Sequence, residues 1–464
     1  MDEQYKQLSE EHKRLKSRLE QMEVLNRELI QRNEQLLDEN KKNQELLSNV
    51  LALQDKDAKS KGSRFKMVTV LFSDIKGFTK LAEHMDAEAL IDELDKFFFQ
   101  FDEVVRKYNI EKIKSIGDSY MAAGGIPKKN RTNPIEVVMA SLEMQFYMSN
   151  LQKAYEDENK KIWEVSIGIH TGPVVAEIIP GKKKTSYEIK GDTVNIASRI
   201  ESSSEGGKIN ISSMTYELVR DYFRCEYRGK LPVKYSGDID MYFVKGYRPE
   251  YSIEGKGFLP NERFWTKFAL VQYDDLEEII LDKLEKELPS RLYYHNLKHT
   301  IDVINGVEVL GRGEKITEEE LLLLKTAALF HDAGHIISSP GHEYHSCTIA
   351  REYLKKFTYT PEQIDMICDI IMATMLPPTP HTLLQQIICD ADLDYLGRRD
   401  FIPVSDTLYK ELHAQNLIGT LNDWNKMQVK FLTHHQFFTQ TAMSLREVNK
   451  QLQIDRLRLL ITED

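Results

Sequence analysis

At 464 residues, with 41% hydrophobic and 29% charged side chains, the chain has an ordinary soluble composition and room for two or three domains. Its formal net charge of −11 argues against bulk binding to nucleic acid or to an anionic membrane. No apolar stretch approaches membrane-spanning length, and the start Met1-Asp2-Glu3-Gln4 is acidic where a signal peptide would be basic and apolar. Cys225, Cys347, Cys368 and Cys389 have neither metal-site nor disulfide spacing, which suits a reducing cytoplasm.

Residues 1–55 carry a heptad pattern. Leu8, Leu15, Met22, Leu29, Leu36, Asn43 and Val50 occupy position d, and His12, Leu19, Asn26, Asn33, Asn40 and Leu47 occupy position a. Leucine at d with asparagine at a is the pattern of a parallel two-stranded coiled coil, in which buried Asn pairs fix register. The expectation is a dimerisation helix; a solvated single helix is the alternative. A polar linker, Asp55 to Ser63, follows.

Residues 64–251 alternate strand and helix patterns. Expected strands are Met67 to Phe72, Lys112 to Ile116, Tyr120 to Ala123, Val165 to His170 and Val174 to Ile179. Expected helices run from Asp86 to Tyr108, Pro134 to Tyr155 and Thr193 to Ile200. Such alternation gives an α/β or α+β sandwich. Residues 261–464 read as nearly all helical, beyond a hinge at Ser252 to Pro260.

Chemistry concentrates at two places. In the α/β segment, Asp74 directly follows a strand and Asp118 sits in the hairpin turn Gly117-Asp118-Ser119. Two carboxylates at adjacent strand ends suit a pair of Mg²⁺ ions holding a triphosphate. Alone, each is a common cap or turn residue. Together with His170-Thr171-Gly172-Pro173-Val174 and Gly191-Asp192-Thr193-Val194-Asn195-Ile196-Ala197-Ser198-Arg199, the segment resembles the class III adenylyl/guanylyl cyclases over nearly its whole length.

The resemblance implies a ferredoxin-like sandwich, with Asp74 and Asp118 holding two Mg or Mn ions. It implies that Lys114 and Glu188 read the base, that Asn195 and Arg199 orient ribose and stabilise the reacting phosphate, and that Lys234 contacts the triphosphate. A lysine ammonium donates to adenine N1 but has nothing to offer the guanine N1–H, so ATP is the expected substrate. The sequence departs from the family twice: Glu188 stands where many adenylyl cyclases have aspartate or threonine, and only Lys234 survives of the usual lysine-glycine-lysine-glycine stretch. The resemblance also implies sites shared between two subunits, hence a homodimer joined by the coiled coil and the cyclase domain.

In the helical segment, His295 and His299 are four apart, Phe330-His331-Asp332-Ala333-Gly334-His335 follows, and Asp390-Ala391-Asp392-Leu393-Asp394 comes later. His and Asp ligands of this kind hold divalent ions that activate water. From about Phe264 to Arg446 the chain resembles the HD-domain metal phosphohydrolases. That implies His299, His331, Asp332 and Asp392 as ligands of a divalent transition metal of unspecified identity, with His295 where related cyclic-nucleotide phosphodiesterases keep a general acid. His335, His342 and Glu343 are candidates for a second metal or for substrate contact, with a surface-loop role as the alternative for His342 and His345, and Asp390 and Asp394 are candidates for support behind the ligands; His434-His435 is expected to be structural, with substrate contact as the alternative.

Three functions follow. One is an adenylate cyclase with an attached HD domain that hydrolyses a phosphoester or cyclic nucleotide. A second is an HD phosphohydrolase regulated by a nucleotide-binding cyclase-like domain. The third is a non-catalytic scaffold organised by the coiled coil.

Overall fold

The computed structural model describes residues 62–78, 87–157, 163–179, 186–233 and 237–462. The expected coiled coil 1–55 and Lys234 lie outside the described residues.

Strand β1 (Ser63–Ile75) is followed by helix α1 (Ala87–Lys107), the hairpin β2 (Glu111–Ile116) and β3 (Ser119–Gly124), helix α2 (Asn133–Asp157) and strand β4 (Val165–Ile179). The sheet order β2-β3-β1-β4 is antiparallel throughout, the βαββαβ arrangement of a ferredoxin-like sandwich. Beyond β4 the sheet continues with β6 (Ile209–Ser212), β8 (Gly237–Tyr247) and β7 (Phe223–Val233), while β5 (Ser186–Lys190) pairs with the far half of β4. Alternation along β1 sends Leu71 and Ile75 into a core with Phe97, Phe101, Met139 and Met144, and Val68 and Val70 into a smaller cluster on the opposite face.

One expectation needs correction. Val165 to His170 and Val174 to Ile179 are not two strands but a single fifteen-residue strand. Gly172-Pro173 reads as a break because proline has no N–H for the ladder. Here β1 absorbs the defect: its register against β4 shifts between Phe65 and Val68, opposite Pro173, so the ladder resumes on either side.

Helix α3 (Asp192–Ser202) lies directly on β4, and α4 (Ser213–Val219) follows β6. Gly168 permits the approach, since a Cβ there would come within 2.1 Å of the Glu201 backbone nitrogen.

The expected hinge, Ser252 to Pro260, holds the short 3-10 turn Ile253–Gly255 and is closed by a bridge between its two ends; a second short 3-10 turn, Pro249–Tyr251, precedes it. Helix α5 (Glu262–Glu287) then starts at Asn261, whose side chain accepts from Phe264 N. Phe264 and Phe268 complete the core of the α/β domain, whereas Tyr273, Leu276, Ile280 and Leu284 belong to the helical core. One helix therefore serves two cores, which the apolar period alone does not reveal. Arg131 adds a polar clamp, donating to Asp275 at 2.6 Å and to Glu278 at 2.8 Å.

The helical domain continues with α6 (Leu297–Gly313), α7 (Glu318–Phe330), α8 (His342–Leu354), α9 (Pro361–Met372), α10 (Leu383–Asp392), α11 (Phe401–Ala414), α12 (Leu421–His434) and α13 (Gln440–Leu460). Capping boxes start α7 at Thr317, α9 at Thr360, α10 at Thr382 and α12 at Thr420. The cysteines are free, and no helix among the described residues is long and apolar enough to cross a membrane.

Candidate functional site

Sheet register brings the two aspartates of the α/β domain together. Ser73 pairs with Tyr120, so Asp74 faces Ser119 and the turn that carries Asp118. Ser119 Oγ donates to Asp74 Oδ1 at 2.8 Å. Gly117, at φ +58°, supplies the left-handed residue of that turn. Burial, and then the neighbouring Asp74 charge, raises the Asp118 carboxyl above its ordinary value. Carboxylates held this close repel one another, and a divalent cation relieves the repulsion. Hard oxygen donors fit the Mg²⁺ or Mn²⁺ expected there.

The other residues that the cyclase resemblance implicates lie on three other elements. Lys114 lies on β2 and Glu188 on β5, two strands that approach each other. Asn195 and Arg199 stand four apart on α3, whose opposite face buries Thr193, Ile196, Ala197 and Ile200. Lys114, Asn195 and Arg199 are exposed and have no side-chain partner among the described residues. Glu188 is also exposed and stands 3.5 Å from Lys190 Nζ. Sequence reasoning missed Glu201, a buried carboxylate on α3 that accepts from Ser166 Oγ at 2.5 Å and from Lys76 Nζ at 3.2 Å. It ties α3 to the segment just past Asp74.

In the helical domain, four residues distant in sequence converge. His299 lies in the first turn of α6, His331 and Asp332 follow α7, and Asp392 ends α10. His299 Nε2 is 3.1 Å from Asp392 Oδ1, 3.4 Å from Asp332 Oδ2 and 3.3 Å from His331 Nε2. His331 Nδ1 donates to the Ala328 carbonyl at 2.8 Å, which leaves the Nε2 lone pair facing the cluster.

Burial by itself would lower the pKa of His299 and of His331, but Asp332 and Asp392 outweigh it and hold both above the ordinary histidine range. The cluster thus stabilises positive charge at its centre. Asp332 Oδ2 is buried without a hydrogen-bond donor. Two imidazoles and two carboxylates of this geometry fit a divalent transition metal.

Asp332 also faces a second group. Its Oδ1 lies 3.3 Å from His342 Nε2 and 4.0 Å from His335 Nε2, the latter buried and without a partner. Ligand atoms of His295, Asp332 and His335 lie within 4.8 Å of one another, room for a second ion. Glu343 is buried, 3.6 Å from His342 Nδ1.

His295 sits at the mouth of the cluster, a quarter exposed, and donates from Nδ1 to Glu411 Oε1 at 2.5 Å. The same carboxylate accepts from the Tyr294 and His295 backbone N–H groups at 2.8 and 3.1 Å. Burial works to raise the Glu411 carboxyl, but these bonds bring it below its ordinary value. With Nδ1 committed to Glu411, His295 Nε2 is free for one of two roles, to join a second ion or to hold and pass a proton. Glu411, more than a hundred residues downstream, carries no local motif that would have flagged it.

Asp390 and Asp394 do not support the ligands as expected. Asp390 accepts from Phe438 N, Thr439 N and Thr439 Oγ1, fixing the start of α13, and Asp394 is paired to Arg446 at 2.6 Å. Their spacing around Asp392 turns them toward α13 instead. His434 is exposed and bonded to the Lys430 carbonyl, and His435 is half-buried, with desolvation lowering it to about 4; neither joins the cluster.

Comparison with known proteins agrees with both halves. Residues 61–246 match the family described as adenylate and guanylate cyclase catalytic domain, and residues 296–394 match the HD domain. The chain is 34% identical over 199 residues to receptor-type guanylate cyclase gcy-8 of Caenorhabditis elegans, covering 42% of this chain and 17% of that protein. It is 31% identical over 214 residues to an adenylate cyclase of Mycobacterium tuberculosis, covering 45% of this chain and 47% of that one. The chain thus spans less than half the length of either relative. A solved structure of the adenylyl cyclase CyaB from P. aeruginosa is 33% identical and covers 40% of this chain and 96% of that one, with TM-score 0.37. One chain here joins a class III cyclase catalytic domain to an HD domain.

Proposed function

We propose that residues 64–251 form an adenylate cyclase acting as a homodimer, and that the HD domain hydrolyses a phosphoester. The observation that carries the first part is the exposed, unpartnered state of Lys114, Asn195 and Arg199 in a chain whose sheet register also brings Asp74 up to the turn that carries Asp118. Three polar side chains presented to solvent in this way suit a nucleotide held between two copies.

In the reaction the ribose 3′-oxygen attacks the α-phosphorus and loses its proton, the Pα–O–Pβ bond breaks, and pyrophosphate leaves. Mg²⁺ or Mn²⁺ at Asp74 and Asp118 supplies charge neutralisation for the triphosphate. Lys114 donates to adenine N1 and Glu188 accepts from the 6-amino group. Asn195 orients the ribose, and Arg199 places a permanent cation where phosphate charge develops. In the HD domain a divalent ion at His299, His331, Asp332 and Asp392 supplies Lewis acidity, and His295, aimed by Glu411, delivers a proton to the leaving oxygen.

Purified protein with ATP and Mg²⁺ or Mn²⁺ should form cyclic AMP, and Asp74→Ala should abolish it. Mixing inactive Asp74→Ala and Arg199→Ala chains should restore activity, because one site of each mixed dimer is whole. Lack of recovery contradicts the shared site. Lys114→Glu should shift preference toward GTP; equal use of both nucleotides by the wild type contradicts the assigned base readers.

A further inference from the structure

The four cysteines are scattered in sequence, but two of them meet in space. Cys347 on α8 and Cys368 on α9 are 21 residues apart along the chain. Cys347 Sγ donates to the Cys368 carbonyl at 3.6 Å, and Cys368 Sγ donates to the Cys347 carbonyl at 3.9 Å. Each sulfur reaches the other residue's backbone, so the side chains lie side by side and the two thiols interact directly. A disulfide forms only between residues whose backbones and sulfurs come this near. The other two cysteines are committed elsewhere: Cys389 Sγ to the Ala373 carbonyl at 3.1 Å, and Cys225 Sγ to the Phe223 carbonyl at 3.8 Å in the α/β domain. We propose that Cys347 and Cys368 are a redox-active dithiol, a modification site at which a hydroperoxide ties α8 to α9 through a disulfide. The proposal does not depend on which reaction the HD domain performs.

The surroundings suit that chemistry. Cys347 is half-buried, which gives a small oxidant its entry, and Cys368 lies buried behind it. The Cys347 thiol, and then Arg351, bring the Cys368 thiol below its ordinary value against the effect of burial. Arg351 already spans the two helices, pairing with Asp365 at 2.5 Å. In the first step the Cys347 sulfur attacks one peroxide oxygen, the O–O bond breaks, and the Cys347 proton leaves with the alcohol or water formed. The Cys368 sulfur then attacks the sulfenic sulfur of Cys347. The S–S bond forms, the S–O bond breaks, and the hydroxide takes the Cys368 proton and leaves as water. Two thiols lose two electrons, and the peroxide gains them.

The bond would be felt beyond the pair. Ser346, the residue before Cys347, donates from Oγ to the His331 carbonyl at 2.7 Å and accepts from Gly334 N at 2.8 Å. A disulfide at Cys347 therefore braces the segment that carries His331 and Asp332.

The test uses the full chain, reduced and then treated with equimolar hydrogen peroxide. Free thiols are blocked with iodoacetamide, and a combined trypsin and chymotrypsin digest is mapped by mass spectrometry without reductant. A peptide joining Cys347 to Cys368 should be the main product, and dithiothreitol should remove it. By loop-closure entropy, a cross-link across 21 residues should raise the helical-domain Tm by roughly 6–12 °C. Amide hydrogen exchange at Gly334 should slow several-fold in the oxidised chain. Cys368→Ser should abolish both effects and Cys389→Ser should keep them. Phenylarsine oxide, which bridges neighbouring thiols without oxidising them, should bind the reduced wild type far more tightly than Cys347→Ser.

Sulfinic acid at Cys347 without a cross-link, a main product of any other pairing, or equal arsenical binding by Cys347→Ser would overturn the dithiol. The wild-type peptide map and its reversal by dithiothreitol decide the matter even if a serine variant folds poorly. An oxidised chain with the Tm of the reduced one, or with unchanged exchange at Gly334, would overturn the brace.

Discussion

Phe264→Ala tests the idea that α5 belongs to two cores at once. Phe264 is fully buried and its ring meets those of Tyr222, Phe223 and Tyr247 in the α/β domain at 5.9, 6.2 and 5.0 Å. Truncating a buried Phe to Ala costs about 3–5 kcal/mol, from lost transfer energy and the cavity left behind. For a domain of 150–250 residues each kcal/mol moves Tm by roughly 2–4 °C, so the transition of the α/β domain should fall by about 10 °C.

Scanning calorimetry of the full chain, with loss of cyclase activity marking the α/β transition, gives the measurement. Ile280→Ala, more than four turns further along the same helix and inside the other core, serves as the mirror. It should lower the helical-domain transition instead, by an amount matching about 2–5 kcal/mol. A shift below about 2 °C for Phe264→Ala, set against the 2–4 °C that each kcal/mol gives, would refute the shared helix. So would a larger effect of that variant on the helical domain than on the α/β domain.

Three more outcomes are expected. Glu136 is buried, and burial raises its carboxyl to about 7 despite hydrogen bonds from Asn130 and Thr132. Because its folded pKa lies above the unfolded one, the folded state holds the extra proton, and stability is lost as pH rises from about 4.5 to about 7. Glu136→Gln should remove that loss, worth about 3 kcal/mol at 1.36 kcal/mol per unit; denaturant titrations giving the same pH slope as wild type contradict it. His331→Ala should strip the helical domain of transition metal, and elemental analysis showing undiminished metal rules out the assigned ligand set. Glu411→Gln should slow hydrolysis of esters with poor leaving groups by about 10–100-fold, with little loss for p-nitrophenyl esters that need no acid. Equal losses for both ester types would reduce Glu411 to a structural residue.

Much of this chain's chemistry is local and therefore legible in sequence. Asp74 and Asp118 stand out because a strand end and a tight turn are short-range events, specified by neighbours such as Gly117. Asn195 and Arg199 share a face because helical spacing requires it. His331-Asp332 announces itself as a doublet. The helical capping boxes and the βαββαβ element order follow from the same short-range rules.

What the tertiary structure alone decided involves groups that meet across long stretches of chain. Pro173 predicts a strand break, yet a bulge in β1 carries the ladder past it, because the partner strand can absorb what proline cannot donate. Helix α5 has one apolar pattern but two destinations, and no period distinguishes Phe268 in one core from Tyr273 in the other. Asp390 and Asp394 flank the proposed ligand Asp392 in sequence but turn to α13 in space. Glu411 reaches His295 only after α11 has packed against α6's entry. Motifs name the residues expected to touch metal or nucleotide; the side chains that aim them are chosen by packing, where any carboxylate of the right reach would serve and none is marked in advance.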